Sequence, residues 1–366
     1  MKRSTVRLAL SCSFIILLTA SWIVSSHISS NAALTATSTP SADGVSGQGK
    51  YKFRVLYRSD HLPAEAQAVL TKAHGGFAVD RRDGNGETYF ALPGAGIIQI
   101  SSDMKSTRML ATDSAMKDPN MHNTTIWYDE NGSPFLSFPG ARIGKVFTTD
   151  LAGKLLHSFG GPDGTEDLGH PNANDYFVGR GNFVPTDLEQ LNGLFYIATG
   201  YSNLDYVLTA KILSTDPFKT AWYDLAFGGK GDGVGELGTG HGITVPGGTT
   251  RIDVADRPNS EIERYTRHGQ YISTLPMPLG SYPCDVDYMG KYGLVGSLHG
   301  PDRSQGAPIY LLENDKLVST IMCKTDLGLE NFQHIHNAVI REVDDKLYII
   351  AQAWNPGDFA ILEQVD

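Results

Sequence analysis

Three stretches of the sequence begin alike: His122-Asn123-Thr124-Thr125-Ile126, His241-Gly242-Ile243-Thr244-Val245 and His336-Asn337-Ala338-Val339-Ile340. Each has a histidine followed four residues later by a β-branched apolar residue. Each opens a strand-like segment that soon meets a turn and a second strand. Similarity at long spacing is typical of repeat architectures. The sequence therefore predicts a repeated β-unit in which the three histidines occupy one structural position.

Related units begin near residues 75, 183 and 282, so that six units of about four short strands follow one another. This pattern is typical of a β-propeller, and 40 glycines with only 19% charged residues fit an all-β chain. The sixth unit has only three strands before the sequence ends. The alternation of apolar and polar residues from Tyr51 to Val55 predicts the missing outer strand. We predict one six-bladed β-propeller over residues 51–366, closed by this N-terminal strand so that no sheet edge is left open.

The N-terminus has the features of an export signal. Lys2, Arg3 and Arg7 precede an apolar run over residues 8–24, and small residues follow. We predict a signal peptide over residues 1–33, or an uncleaved signal anchor, and a disordered linker over residues 34–50. The protein is then secreted, periplasmic or part of the cell envelope, and any membrane attachment runs through the N-terminal segment alone.

Net charge limits the classes of binding partner, and the positions of the cysteines exclude a disulfide. The net charge of −10 and the absence of a basic run argue against nucleic acid as a partner. We expect a monomer that binds a small-molecule or peptide substrate. Cys284 and Cys323 fall on the inner and outer strands of one blade, too far apart for a disulfide, so both are predicted to be free thiols.

The histidines point to a metal site. Aligning the units places His122, His241 and His336 on alternate blades, about 120° apart around the axis, so their imidazoles should converge. Three histidines with an open fourth position are the ligands of a catalytic zinc ion. The alternative is that each histidine simply begins a strand. His334 is a rival ligand, and His74 lies one residue out of step in blade one.

The ends of the second strands should lie on the same face as the histidines, because the strands are antiparallel. This places Tyr201, Arg257 and His299 near the predicted metal. A phenol, a guanidinium and an imidazole there could serve as base, anion clamp and proton shuttle, or each could be an ordinary turn residue. The unit starts add three further candidates for this face: Asp187, Asp285 and Cys284.

The chain resembles the NHL-repeat propellers, and within them the catalytic domain of peptidyl-α-hydroxyglycine α-amidating lyase (peptidylamidoglycolate lyase). The resemblance covers residues 50–366. Besides the histidines it rests on two further motifs, Pro185-Thr186-Asp187 with Gly200-Tyr201-Ser202-Asn203, and Val254-Ala255-Asp256-Arg257-Pro258-Asn259. It implies a zinc-dependent lyase that cleaves a carbinolamide N–C bond to give an amide and glyoxylate. By resemblance, Tyr201 would deprotonate the substrate hydroxyl, and Arg257 would bind the carboxylate or polarise the carbonyl.

The chain also departs from that family. A second catalytic arginine is missing after the second strand of blade one, where the sequence reads Leu92-Pro93-Gly94-Ala95-Gly96, so Arg142 or Arg180 would have to replace it. Ser202 stands in place of a cysteine. Asn337 stands where the family has an acid of a structural Ca²⁺ site, which leaves that ion as an open possibility. The alternative function is a non-catalytic NHL propeller that binds a glycan, a peptide or a protein partner.

Overall fold

The structure is a computed structural model that describes residues 44–365. The predicted signal peptide or anchor (residues 1–33) and most of the predicted linker (34–50) lie outside the described residues. Within residues 44–365 no helix is both long enough and apolar enough to cross a membrane.

The strands are numbered in chain order. The first two are β1 (Ser46–Gln48) and β2 (Tyr51–Tyr57). Blades one and two follow as β3 (Phe77–Val79), β4 (Thr88–Leu92), β5 (Gly96–Ile100), β6 (Thr107–Met109), β7 (Thr125–Tyr128), β8 (Pro134–Gly140), β9 (Lys145–Thr149) and β10 (Leu155–Gly160). Blades three and four are β11 (Asp187–Leu191), β12 (Leu194–Ala198), β13 (Tyr206–Thr215), β14 (Phe218–Gly228), β15 (Gly240–Thr244), β16 (Arg251–Asp256), β17 (Glu261–Thr266) and β18 (Tyr271–Pro276). Blades five and six are β19 (Pro283–Met289), β20 (Tyr292–Ser297), β21 (Pro308–Glu313), β22 (Lys316–Met322), β23 (His334–Val343), β24 (Lys346–Trp354) and β25 (Asp358–Val365).

Each blade is an antiparallel sheet in which consecutive strands are neighbours. The prediction of a six-bladed β-propeller is confirmed. Helical structure is confined to short segments between strands: Ser59–His61, Ala64–Gln67, Leu70–Lys72, Ser114–Met116, Pro171–Ala173, Asn174–Val178 and Arg303–Gln305.

The N-terminal strand completes blade six, as predicted. Strand β2 pairs antiparallel with β25, and Val55 lies opposite Leu362. Tyr51, Phe53 and Val55 are buried while the residues between them face outward, which is the alternation seen in the sequence.

Strand β1 adds a fifth strand to blade six and lies inside the segment predicted to be linker. It also contacts the outer strand of blade five: the amide of Gln48 donates to Ser319 Oγ at 2.9 Å, and the amide of Met322 donates to Ser46 Oγ at 2.7 Å. The ordered ring therefore begins before residue 51, and β1 joins the two blades that flank the closure.

The blades pack face to face, so the middle strands are buried on both sides. All five residues of β4 are buried, and β24 is buried from Ile349 to Ala353. Strands buried on both faces carry continuous apolar runs rather than alternation. The predicted free thiols are confirmed: Cys284 and Cys323 are both buried and unpaired by disulfide. This packing leaves the first strand of each blade along the axis, with its start on one face of the ring.

Candidate metal centre

Six equivalent positions at the starts of the inner strands form one ring around the axis, in which histidines alternate with other residues. His122, His241 and His336 occupy blades two, four and six, and Thr186, Cys284 and Gly75 occupy blades three, five and one. Each histidine donates its Nδ1–H to the backbone carbonyl of the next blade: His122 to Thr186 at 2.5 Å, His241 to Cys284 at 2.7 Å and His336 to Gly75 at 3.0 Å. Each of the three imidazoles is thus oriented by a backbone carbonyl of the following blade.

These hydrogen bonds fix the tautomer. A neutral imidazole that donates through Nδ1 carries a lone pair on Nε2. His122 Nε2 and His336 Nε2 lie 3.1 Å apart, so two lone pairs face each other across the axis. A cation between them removes the repulsion, and tetrahedral zinc with bonds of 2.0–2.1 Å places two nitrogens about 3.3 Å apart. The donor set therefore fits a metal ion.

Protonation does not offer the same relief. Burial lowers the pKa of His122, His241 and His336 well below the ordinary value, and the positive charge of Arg257 acts in the same direction. Neutral imidazoles with oriented Nε2 atoms are the form that binds a metal.

A fourth imidazole, His74, joins the group. Among the described residues, His74, His122 and His336 form a cluster whose ligand atoms all lie within 4.8 Å of one another. This trio contains His74 where the sequence predicted His241. The His241 ring is nevertheless close, with its centroid 4.6 Å from that of His122 and 4.9 Å from that of His336.

The surroundings of His74 and His241 differ. His241 is fully buried and oriented by the Cys284 carbonyl, whereas His74 comes from the loop before β3 and has Asn120 Nδ2 2.5 Å from its Nδ1. An amide N–H donating to Nδ1 leaves the proton of His74 on Nε2, and in that tautomer Nε2 offers no lone pair to a metal. His74 was not predicted as a ligand because it lies ahead of the repeat unit. The one signal in the sequence was its position one residue before the aligned start of blade one.

Tyr201 and Arg257 come together beside His241, each from the turn after a second strand. Arg257 Nη1 donates to the Tyr201 hydroxyl at 2.8 Å, and that hydroxyl donates to His241 Nε2 at 3.0 Å. Arg257 Nη2 also donates to Cys284 Sγ at 3.1 Å, and the thiol donates to the Ile335 carbonyl. The four side chains form one hydrogen-bonded chain at the edge of the imidazole cluster.

Arg257 is a buried cation without a carboxylate partner among the described residues, and its Nε–H makes no hydrogen bond there. Buried charges are ordinarily paired, because an unpaired one costs several kcal/mol. Burial raises the pKa of Tyr201 and of Cys284, while the Arg257 charge opposes the rise in both. The guanidinium therefore favours negative charge on whatever binds beside it.

One layer further along the axis lie the residues that directly follow the six ring positions. Four of them have side-chain oxygen atoms, and we call this group the oxygen ring. Asp187 and Asp285 lie in it, Asn337 Nδ2 donates to Asp285 Oδ2 at 2.5 Å, and Asn123 adjoins Asp187. Burial raises the pKa of both carboxyls, and the charge of Asp187 raises that of Asp285 further. Both line an axial cavity of about 260 Å³. The structure thus places Asp187 and Asp285 beneath the imidazoles and not among them.

His299 does not join the imidazole cluster. Its ring packs against His334 at 4.8 Å and Tyr282 at 5.4 Å. His334 donates Nδ1–H to the Leu298 carbonyl, and its ring lies 5.7 Å from that of Trp354 at a tilt of 49°. The Trp354 ring in turn lies 5.5 Å from that of His74. These rings form an aromatic row leading from the cluster, and His334 is part of that row rather than of the metal centre.

A cavity of about 300 Å³ opens beside His74 and carries three cations, which are Lys72, Lys117 and Arg142. All three are exposed, and none forms an ion pair within residues 44–365. Arg180, the other proposed substitute for the missing arginine, does not line it. Lys72 and Lys117 were missed from the sequence because they lie in connections between blades that no repeat aligns.

No family model matches the sequence, and no curated protein matches it. Solved structures that are similar include virginiamycin B lyase from Staphylococcus aureus, with 12% identity, coverage of 81% of this chain and 97% of that one, and a TM-score of 0.43. A streptogramin B lyase structure has 12% identity, coverage of 80% and 94%, and a TM-score of 0.45. A chain of the nidogen/laminin complex has 14% identity, coverage of 76% and 92%, and a TM-score of 0.44.

Proposed function

We propose that this protein is a zinc-dependent lyase that cleaves the N–C bond of a carbinolamide, as the resemblance to peptidylamidoglycolate lyase implies. The observation that carries the proposal is the convergence of oriented, neutral imidazoles on the axis next to the Tyr201–Arg257 pair. The substrate class is an acylated α-hydroxyglycine, which yields an amide and glyoxylate.

His122, His241 and His336 would hold the ion. His122 and His336 belong to both possible trios, and His241 is favoured over His74 because its Nδ1 is oriented by a backbone carbonyl in the same way as theirs. Partners that orient a histidine ligand are a regular part of metal sites. A divalent ion held here would lower the pKa of a hydroxyl bound to it.

Tyr201 is the proposed base. Its hydroxyl lies 3.0 Å from His241 Nε2 and accepts a hydrogen bond from Arg257, which stabilises the phenolate. In the reaction the substrate hydroxyl loses its proton, the C=O of glyoxylate forms, the C–N bond breaks, and a proton is placed on the departing amide nitrogen. Arg257, buried and without a carboxylate, binds the developing or existing negative charge of the substrate.

The cationic cavity at Lys72, Lys117 and Arg142 supplies a site for the substrate carboxylate. It borders His74, so a bound anion there lies at the mouth of the imidazole cluster. Arg142 thereby takes the part of the family arginine that is absent from Leu92-Pro93-Gly94-Ala95-Gly96.

The ring of Asp187, Asp285 and Asn337 is the proposed place of a structural Ca²⁺. Carboxylate and amide oxygens are the ligands that Ca²⁺ takes. The acid missing at Asn337 is replaced in this proposal by the two carboxylates of blades three and five.

Export through residues 1–33 belongs to the same proposal, because an envelope or secreted enzyme needs a signal sequence. N-terminal sequencing of the mature protein should give a start between residues 32 and 50. A mature chain that begins at Met1 contradicts a cleaved signal.

The test combines metal analysis with product detection. Protein purified without a polyhistidine tag is incubated with α-hydroxyhippurate, and benzamide and glyoxylate are measured. We expect both products in equal amount, their loss after chelation and their return with zinc. A metal-bound protein that releases neither product contradicts the lyase, and a metal-free, inactive wild type favours the non-catalytic binding propeller.

A further inference from the structure

A third cavity, of about 730 Å³, lies on the face opposite the histidines, where turns leave the ends of the inner strands. We call it the basic cavity. Its cations are Arg81, Arg82, Arg251, Lys291 and Arg341. Four of them have carboxylate partners: Arg81 pairs with Asp287, Arg82 with Asp80, Arg251 with Asp253, and Lys291 with Glu313. Three carboxylates also line the cavity, those of Asp80, Asp315 and Glu342.

Arg341 is different. It is only 5% exposed, and its guanidinium donates to the Thr88 hydroxyl at 3.3 Å and the Ser102 carbonyl at 2.7 Å, both neutral. Within residues 44–365 no carboxylate forms an ion pair with it. The cavity wall thus holds one buried guanidinium that makes no ion pair, and the carboxylates of Glu87 and Asp287 act on it only without direct contact.

The neighbouring charge makes this arrangement more costly. Burial lowers the pKa of Arg341 to about 10, the positive charge of Arg81 contributes to the decrease, and the carboxylates of Glu87 and Asp287 oppose it. Asp287 accepts hydrogen bonds from Arg81 with both oxygens, at 2.8 and 2.6 Å, and forms no ion pair with Arg341. An anion entering the cavity would compensate Arg341 directly.

We propose that the basic cavity binds a small phosphate- or sulfate-bearing compound, with Arg341 and Arg251 as its principal cationic contacts. Guanidinium groups match tetrahedral oxyanions geometrically and form hydrogen bonds about twice as strong as neutral ones. The volume falls within the range of ligand pockets, ~300–1,000 Å³. Asn85, Asn314 and Thr249 line the same cavity and offer donors to the rest of such a compound.

Calorimetric titration with sodium sulfate and with inorganic phosphate tests the proposal, against sodium chloride at equal ionic strength. We expect saturable binding of both oxyanions to the wild type. Losing a hydrogen bond from a charged group costs about 1.5–3 kcal/mol, so Arg341→Gln should weaken sulfate binding at least ~10-fold.

Arg251→Gln is the second variant and secures the test if Arg341→Gln fails to fold. Asp253 retains Arg264 at 3.4 Å and the Tyr288 hydroxyl at 2.6 Å, so the fold should tolerate this change. Arg54→Gln is the matched control, because Arg54 is also ion-paired, to Glu363, but lies outside the cavity. Absence of sulfate binding to the wild type, or equal affinity in all the folded variants, overturns the proposal. Either result leaves the metal centre untouched, because the two sites lie on opposite faces.

Discussion

At the centre of the ring, the inner strands present buried imidazoles, the uncompensated guanidinium of Arg257 and the carboxyls of Asp187 and Asp285. At the rim, strand β2 buries Tyr51, Phe53 and Val55, and backbone pairing with β25 closes the circle. The centre places polar groups where burial is unfavourable, while the rim buries apolar ones. The comparison indicates that the closure contributes stability to the ring, whereas the polar groups buried at the axis cost stability. Changes at the rim should therefore alter stability, and changes at the centre should alter metal content and turnover.

Removing the closing strand should have the largest effect. Deletion of residues 1–58 takes away three buried side chains worth roughly 5–9 kcal/mol together. This is comparable with the whole stability of a typical domain, about 5–15 kcal/mol. We expect the shortened chain to be insoluble or to show no cooperative thermal unfolding.

Two shorter deletions are its controls. Deletion of residues 1–43 should leave Tm unchanged, and deletion of residues 1–50 should lower Tm by roughly 2–6 °C because the hydrogen bonds of β1 to blade five are lost. Equal Tm values for the deletions to 43 and to 58 would show that β2 does not close the ring.

The sequence was a good guide to strand β2, which closes the ring, and a poorer one to strand β1, which joins blades five and six. Tyr51, Phe53 and Val55 alternate with polar residues, a pattern that a half-buried strand requires. The segment Ser46–Gln48 contains no apolar side chain. Its strand depends on hydrogen-bond partners on β22, which come near only in the folded ring. Composition therefore predicted a linker where the structure has a strand.

In the candidate site, too, residues within the repeats could be predicted from the sequence and residues outside them could not. His122, His241 and His336 could be found because they repeat, and Tyr201 and Arg257 because antiparallel pairing fixes where second strands end. His74, Lys72 and Lys117 lie in the loops and short helical segments ahead of a blade, where no sequence repeat marks their position. The carbonyls that orient the imidazoles could not be predicted either, since backbone atoms leave no trace in residue identity.

At the centre, Tyr201→Phe should abolish most of the turnover. Only the hydroxyl between Arg257 and His241 is removed, and general base catalysis contributes about 10²–10⁴-fold. We expect kcat to fall by that factor while metal content and Tm remain those of the wild type.

Ser202→Ala is the matched control from the same turn, since its hydroxyl accepts from the Val184 amide and touches none of the cluster. Wild-type turnover in Tyr201→Phe would exclude the phenol as the base.

Arg142→Gln should have a smaller, substrate-dependent effect. Because Arg142 is exposed, we expect KM for α-hydroxyhippurate to rise roughly 5- to 20-fold with little change in kcat, as for the loss of a charged hydrogen bond. Lys154→Gln, an exposed residue of blade two outside that cavity, should leave KM unchanged. A fall in kcat at constant KM would contradict a role in binding the carboxylate.

The smallest expected effect concerns the oxygen ring. Millimolar CaCl₂ should raise the Tm of the wild type by a few degrees, because an ion that binds the folded state stabilises it by mass action. Asp285→Asn should remove this increase, whereas MgCl₂ at the same concentration should not reproduce it. A calcium effect that persists in Asp285→Asn places the ion elsewhere.

Metal content measured by elemental analysis tests the central claim most directly. Wild type purified without a tag should contain about one equivalent of zinc, and His122→Ala, His241→Ala and His336→Ala should each lose it. Loss of a residue that only orients a metal ligand typically lowers metal affinity ~10–100-fold, and loss of a ligand itself should lower it further. His334→Ala and His74→Ala should keep most of the metal. Absence of a transition metal from the wild type would contradict the metal centre, and loss of zinc in His74→Ala but not in His241→Ala would contradict the proposed ligand set.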